Sequence, residues 1–223
     1  MLSNYLATQK DLKTVEDGLR FVMHPKMRFV FKDKSKIVNT AVISYDSKFI
    51  YIWKINPVKS AFKIPHSLNI LDEWQSGWRV GIISEKILKY LPVKNKKMIS
   101  GGLLTPFVSL QKAKTVVKNP YITKESYLAT IVHEFGHIYF GGVGKKGELS
   151  AFCTEYYASQ LFWPKHLDKL DKFIEKIAST TKSKAEKNNQ HIFAFLNAKK
   201  LINRYPKTWP QKLLSTTYLG IKP

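Results

Sequence analysis

Cysteine is nearly absent: Cys153 is the only one in 223 residues. An intrachain disulfide is therefore impossible, and disulfide-framework classes are excluded. No uninterrupted apolar run reaches the roughly twenty residues that a membrane-spanning helix needs. The opening Met-Leu-Ser-Asn-Tyr-Leu-Ala-Thr-Gln-Lys lacks the apolar core of a signal peptide. These absences lead to the expectation of a cytoplasmic or intracellular protein without a transmembrane segment. Acidic residues are scarce as well, 16 against 37 Lys and Arg, which leaves a net charge of +21. A surface that basic attracts nucleic acid or acidic protein in a salt-dependent way, and a place within a nucleic-acid-containing particle fits it. Arginine, which reads bases and phosphates bidentately, is outnumbered by lysine, and no nucleic-acid-binding motif accompanies the charge. The lysines instead run along the whole chain, as at Lys94, Lys96, Lys97, Lys112, Lys114, Lys118, Lys145, Lys146, Lys182, Lys184, Lys187, Lys199 and Lys200.

A hydrophobic content of 44% with 13% aromatics supports a packed core, and the length suits one compact domain. Residues 1–122 read as mainly β. Lys26 to Phe31 is one expected strand, and Ile37 to Ser44 with Lys48 to Asn56 forms an expected hairpin. In the second arm Phe49, Tyr51, Trp53 and Ile55 fall on one face. Ser84 to Leu91 reads as a short helix. Gly102 to Gln111 reads as a strand that Pro106 confines to an edge or bulge. Trp74 and Trp78 are spaced for a stacking pair or for core positions. Residues 123–164 read as a helix pair. Residues 165–223 read as a helical part: one amphipathic helix carries Leu167, Leu170, Phe173, Ile174 and Ile177, and a longer one ends before Pro206, followed by an irregular tail from Lys207. The expected class is α+β, a mixed or antiparallel N-terminal sheet followed by the helix pair and C-terminal helices.

Residues 133–137 read His-Glu-Phe-Gly-His. Two histidines four apart on a helix project from one face, where their imidazoles can share a metal ion. Glu134 sits about 100° around the helix from His133, beside such a metal. From there it can take a proton from metal-bound water. The context favours a helix. Thr123 is an expected N-cap, Glu125 suits the first turn, and Leu128, Ile131, Val132, Phe135, Ile138 and Tyr139 form an apolar stripe. Gly141-Gly142 reads as the stop. The opposing reading of the pentapeptide is a core helix with two capping histidines and an exposed Glu134.

Two histidines do not complete a catalytic zinc site, which takes three protein ligands and a water. Val143 stands where a third histidine would follow in the three-histidine arrangement, so the third ligand should come from the next helix. That helix is expected from Glu148 to Trp163, closed by Pro164, after a Gly-Gly-Val-Gly-Lys-Lys-Gly loop. It offers Glu148 and Glu155, seven apart and on one face. At 1.5 Å per residue, a helix starting at Glu148 brings Glu155 to the depth of the histidines, which favours Glu155 over Glu148.

His133, Glu134, His137 and a downstream glutamate resemble the gluzincin branch of the zincin metallopeptidases, over residues 123–164. Glu155-Tyr156-Tyr157-Ala158-Ser159 is similar to the E-x-x-A-D or E-x-x-A-N segment of gluzincin-like families, with Ser159 in place of the residue that often supports a metal-bound histidine. Glu148-Leu149-Ser150-Ala151 fits the same frame. The resemblance implies a zincin-like fold with residues 102–111 as a substrate-aligning edge strand. It implies Zn2+ held by His133, His137 and Glu155, with Glu134 as general base and then acid toward a peptide or protein substrate. It also implies an oxyanion donor, for which Tyr156, Tyr157, His166 and Tyr205 are available. Two other readings compete. One is a basic, non-enzymatic structural or nucleic-acid-associated protein with a zincin fold. The other is a peptidase recruited to DNA, similar in its logic to SprT-like proteins.

Overall fold

The computed structural model describes residues 6–38, 41–45, 48–55, 58–65, 79–80, 102–106, 123–140, 144–181, 183 and 189–214, and all that follows concerns them. The chain opens on a helix, α1 (Gln9–Val22). Thr8 caps it: the Asp11 N–H donates to Thr8 Oγ1 (3.3 Å), and the Thr8 N–H donates to the Asp11 carboxylate (2.8 Å). Val15, Leu19 and Val22 recur at helical spacing and are buried. Pro25–Phe29 is a 3-10 helix capped by His24, and α2 (Lys34–Val38) follows.

Five short strands come next: β1 (Ala41–Tyr45), β2 (Phe49–Ile55), β3 (Val58–Pro65), β4 (Arg79–Val80) and β5 (Gly102–Pro106). They pair in the order β3-β2-β1-β5-β4. β1 and β2 form the expected hairpin, and Tyr51, Trp53 and Ile55 are buried as their alternation predicted. β5 pairs with β1 in parallel and with β4 in antiparallel register. It is therefore interior rather than an edge strand, and Pro106 ends it.

The functional half is helical: α3 (Lys124–Phe140), α4 (Gly144–Phe162), α5 (Pro164–Thr180), α6 (Gln190–Arg204) and α7 (Trp209–Leu214). The Ser126 N–H donates to Thr123 Oγ1 (3.2 Å), so Thr123 caps α3 as expected, with Ser126 rather than an acid as its reciprocal partner. Helix α4 is buried on nearly every side. One core on its flank joins α1, α3 and the strands through Leu19, Met27, Phe31, Trp53, Ile131 and Phe135. A second joins α4 to α5, α6 and α7 through Phe152, Tyr156, Ile174, Leu201 and Trp209.

The expected α+β, zincin-like class with a leading N-terminal sheet is thereby corrected. Most of the described chain is helix, no strand is described between residues 6 and 40, and the helix pair is flanked by α1, α5 and α6. The cause is local. The Thr8–Asp11 capping box and the Val15–Leu19–Val22 spacing set a 3.6-residue period, and Pro25 starts a 3-10 turn where a strand from Lys26 to Phe31 was expected. The tail from Lys207 is likewise not all irregular, because α7 buries Trp209. Expectations for Trp74, Trp78, Ser84 to Leu91, residues 107–111, Gly141-Gly142 and the lysines at 94–118, 182, 184 and 187 lie outside the described residues.

Helices α3 and α4 meet at Gly136. A Cβ there would stand 2.7 Å from Ala151 Cα and 3.1 Å from the Thr154 side chain. The obstacle is backbone, so the helices themselves would have to separate. Gly136→Ala gains about 1 kcal/mol of helix propensity but costs about 1–3 kcal/mol in overpacking. The expected outcome is net destabilisation in a thermal melt, together with weaker divalent-metal uptake. A variant as stable as wild type with undiminished metal uptake would mean that the contact does not set the helix spacing.

Candidate metal centre

The close approach at Gly136 decides what faces what. His133 and His137 lie three residues before and one after Gly136 on α3. Glu148 and Glu155 lie three before and four after Ala151 on α4, so both carboxylates share the face turned to the histidines. His133 Nε2 stands 3.5 Å from Glu148 Oε2, and His137 Nε2 stands 3.5 Å from Glu148 Oε1. On the other side of the His133 ring, Nδ1 stands 3.0 Å from Glu155 Oε2. One ligand atom each from His133, His137 and Glu148 falls within 4.8 Å of the others.

The structure thus brings together both expected histidines with Glu148, while Glu155 meets the opposite nitrogen of His133. The reason lies at the start of α4. It begins at Gly144, inside the segment read as a glycine loop, with Gly144 itself at φ +74°. The helix therefore gains a turn, and Glu148 reaches the level of His137 one turn in. Ser159 does not touch a histidine; its hydroxyl donates to the Glu155 carbonyl (2.8 Å) one turn back.

Two residues that spacing did not single out complete the site. At the start of α6, which Asn189 caps, His191 Nδ1 stands 3.1 Å from Glu148 Oε2 and Gln190 Nε2 donates to Glu148 Oε1 (3.5 Å). The Phe152–Phe195 ring contact (4.6 Å) anchors α6 on α4 and holds this end in place. Four of the chain's 6 histidines gather here: His133, His137, His191, and His166, whose Nε2 stands 3.6 Å from Glu155 Oε1. His166 was among the available oxyanion donors, whereas nothing in residue spacing links position 191 to the pentapeptide. Of the other expected donors, the Tyr156 hydroxyl donates to Asp171 (3.1 Å), Tyr157 packs on Phe29 and Trp209, and Tyr205 packs against Arg204 and Lys212.

The pocket is strongly anionic at its centre. Burial raises Glu134 above the usual carboxylate range, against the pull of His133 and His137. Burial also opposes ionisation of Glu155, but pairing with His133 and His166 wins and holds it at about 2. Glu148 is lowered too, its pairing with His133 and His137 outweighing burial. For His133 burial disfavours the charge, yet Glu148 and Glu155 outweigh it and raise the ring to about 10. A proton on His133 thus supplies the positive charge that three neighbouring carboxylates demand. One Glu148 oxygen, Oε2, remains buried without a well-aligned hydrogen bond, although His191 Nδ1 lies within ion-pair distance. A buried carboxylate oxygen in that state calls for a cation. With two imidazole nitrogens and a carboxylate converging, the donor set fits zinc.

These shifts fix a pH dependence for the metal-free protein. The raised His133 contributes stability that is complete below its ordinary 6.5 and is lost as pH climbs toward about 10. The lowered Glu155 contributes stability that is complete above its ordinary 4.5 and is lost as pH falls toward about 2. In chelator, the gap in thermal midpoint between wild type and Glu155→Gln is expected to be widest between about pH 4.5 and about pH 6.5 and to narrow on both sides. A gap that widens steadily above about pH 7 would refute the pairing.

Comparison with protein-family models, with characterised proteins and with solved structures found no match, so the reading of this site rests on its own geometry.

Proposed function

We propose that the chain is a zinc-dependent metallopeptidase of gluzincin-like chemistry. The observation that carries the reading is the convergence of His133, His137 and Glu148 ligand atoms within 4.8 Å, with Glu134 between the two histidines in sequence. In this reading His133, His137 and Glu148 would hold the ion, the three protein ligands that a catalytic zinc takes. Zinc bound there would supply an acidified water and an electrophile for a peptide carbonyl. Glu134 is the base. Its burial, opposed by the two rings, suits a carboxyl group that must first accept a proton and then donate it to the leaving amine. His191 is more than half exposed at the mouth of the site and is the group best disposed to meet a bound substrate.

Divalent cation binding would replace the His133 proton and satisfy the buried Glu148 oxygen. Ligand linkage makes that gain large: free zinc at about 1,000 times its Kd adds about 4 kcal/mol of stability. Zinc is therefore expected to raise the melting temperature of wild type, and chelator to reverse the rise. Glu134→Gln is expected to keep the zinc and lose casein or peptide-library cleavage by at least about 100-fold, the lower range for a general base. Equal cleavage by that variant would overturn the mechanism. A wild-type protein that binds one zinc but cleaves nothing would favour the non-enzymatic, basic binding protein instead. Glu148→Ala is expected to abolish stoichiometric zinc binding.

No described helix is long and apolar enough to cross a membrane. The +21 charge remains open to nucleic acid or acidic protein. Cleavage stimulated by DNA, with a steep salt slope, would identify a DNA-recruited peptidase.

A further inference from the structure

Behind the ligand set lies a second row of side chains that the proposed chemistry does not use. Glu155 Oε2 is 3.0 Å from His133 Nδ1, and its other oxygen, Oε1, is 3.6 Å from His166 Nε2. His166 sits two residues into α5, behind Pro164, and is only 5% exposed. Both of its ring nitrogens are buried and lack a hydrogen-bond partner among the described residues. A buried imidazole without partners is costly, and such a group persists where something offsets the cost. Its Nε2 stands 3.6 Å from Glu155 Oε1, just beyond hydrogen-bond range.

We infer that Glu155 and His166 form a buried positioning pair for His133: Glu155 accepts the His133 Nδ1–H and His166 fixes the far oxygen of Glu155. This rests on the metal reading above and deepens it. A metal-bound imidazole must present a bare Nε2, so its proton must sit on Nδ1, and a carboxylate on that side selects the required tautomer and ring orientation. Position 159 carries a serine instead of the supporting residue of the family pattern, and its hydroxyl donates to the Glu155 carbonyl. The role moves one helical turn back, to Glu155. Glu155 is thus a positioning residue rather than a ligand. His166 closes the chain from a different helix, so α5 is coupled to the metal through one carboxylate.

The test compares wild type with Glu155→Ala, Glu155→Gln, His166→Phe and Glu148→Ala, using zinc titration and the visible absorption of the Co2+-substituted protein. Glu155→Ala is expected to keep one metal per chain, with affinity lowered about 10- to 100-fold and a shifted Co2+ spectrum. Glu155→Gln retains an oxygen that can accept from Nδ1, so it should recover most of the wild-type spectrum and part of the affinity. His166→Phe should weaken binding by about 10-fold, the lower end of the range for outer-shell partners, with unchanged stoichiometry. Metal-free melting curves control for folding. If Glu155→Ala loses the metal outright while Glu148→Ala retains it, Glu155 is the ligand and the positioning role is overturned. If affinity and spectrum stay at wild-type values in both Glu155 variants, the pair does nothing. Absence of zinc binding by wild type would instead bring down the metal reading itself.

Discussion

The contact of Gly136 with Ala151 is the constraint on which the rest of the site depends. Two helices approach closely only where neither presents a side chain larger than a methyl group, and here one presents none. That approach brings residues one turn either side of Ala151 against the histidines one turn around Gly136. The glycine of His-Glu-Phe-Gly-His is thus as structural as its histidines are chemical. Phe135, its neighbour in the pentapeptide, is fully buried in the opposite direction and ties α3 to α1 and the strands. One five-residue segment therefore anchors a core, approaches a second helix and contributes both histidines to the cluster.

That arrangement also explains how several carboxylates tolerate the interior. Glu134, Glu148 and Glu155 are all largely removed from water, and three like charges there would repel and lose hydration. Each is answered by imidazole: His133 and His137 for Glu148, His133 and His166 for Glu155, both α3 histidines for Glu134. The histidines cluster because the carboxylates do. A group that can be proton-bearing or metal-bearing is the natural partner where a permanent cation such as lysine would fix the charge. Lys145, at the start of α4, lies over the Phe193 ring at 5.3 Å.

Legibility followed physical range. The pentapeptide, its helix, the Thr123 cap, the β1–β2 hairpin and the amphipathic α5 were readable because each is decided by residues a few positions apart. Helix α1 carries equally local signals in Thr8, Asp11, Val15, Leu19 and Val22, and the reading of residues 1–122 as mainly β passes over them. The start of α4 was misjudged for a different reason. Glycines at 144 and 147 argue for a loop by propensity, yet Gly147, Leu149, Ala151 and Phe152 are buried, and packing outweighs a propensity cost of about 1 kcal/mol per glycine. A four-residue difference in that helix boundary brings Glu148, seven positions before Glu155, to the histidines.

The deeper limit concerns the imidazole ring. Sequence spacing can put a carboxylate at the right height on a facing helix, but it cannot say which nitrogen of the histidine that carboxylate will meet. Glu148 and Glu155 occupy the same face, seven residues apart, and both approach His133. They differ only in that one meets Nε2, shared with His137, and the other meets Nδ1. This difference separates a carboxylate on the side of the ring that faces His137 from one on the opposite side. It turns on which side of the His133 ring each carboxylate meets, 3.5 Å from Nε2 for Glu148 and 3.0 Å from Nδ1 for Glu155. The Gly136 contact, which lets α3 and α4 approach, allows both glutamates to reach that ring.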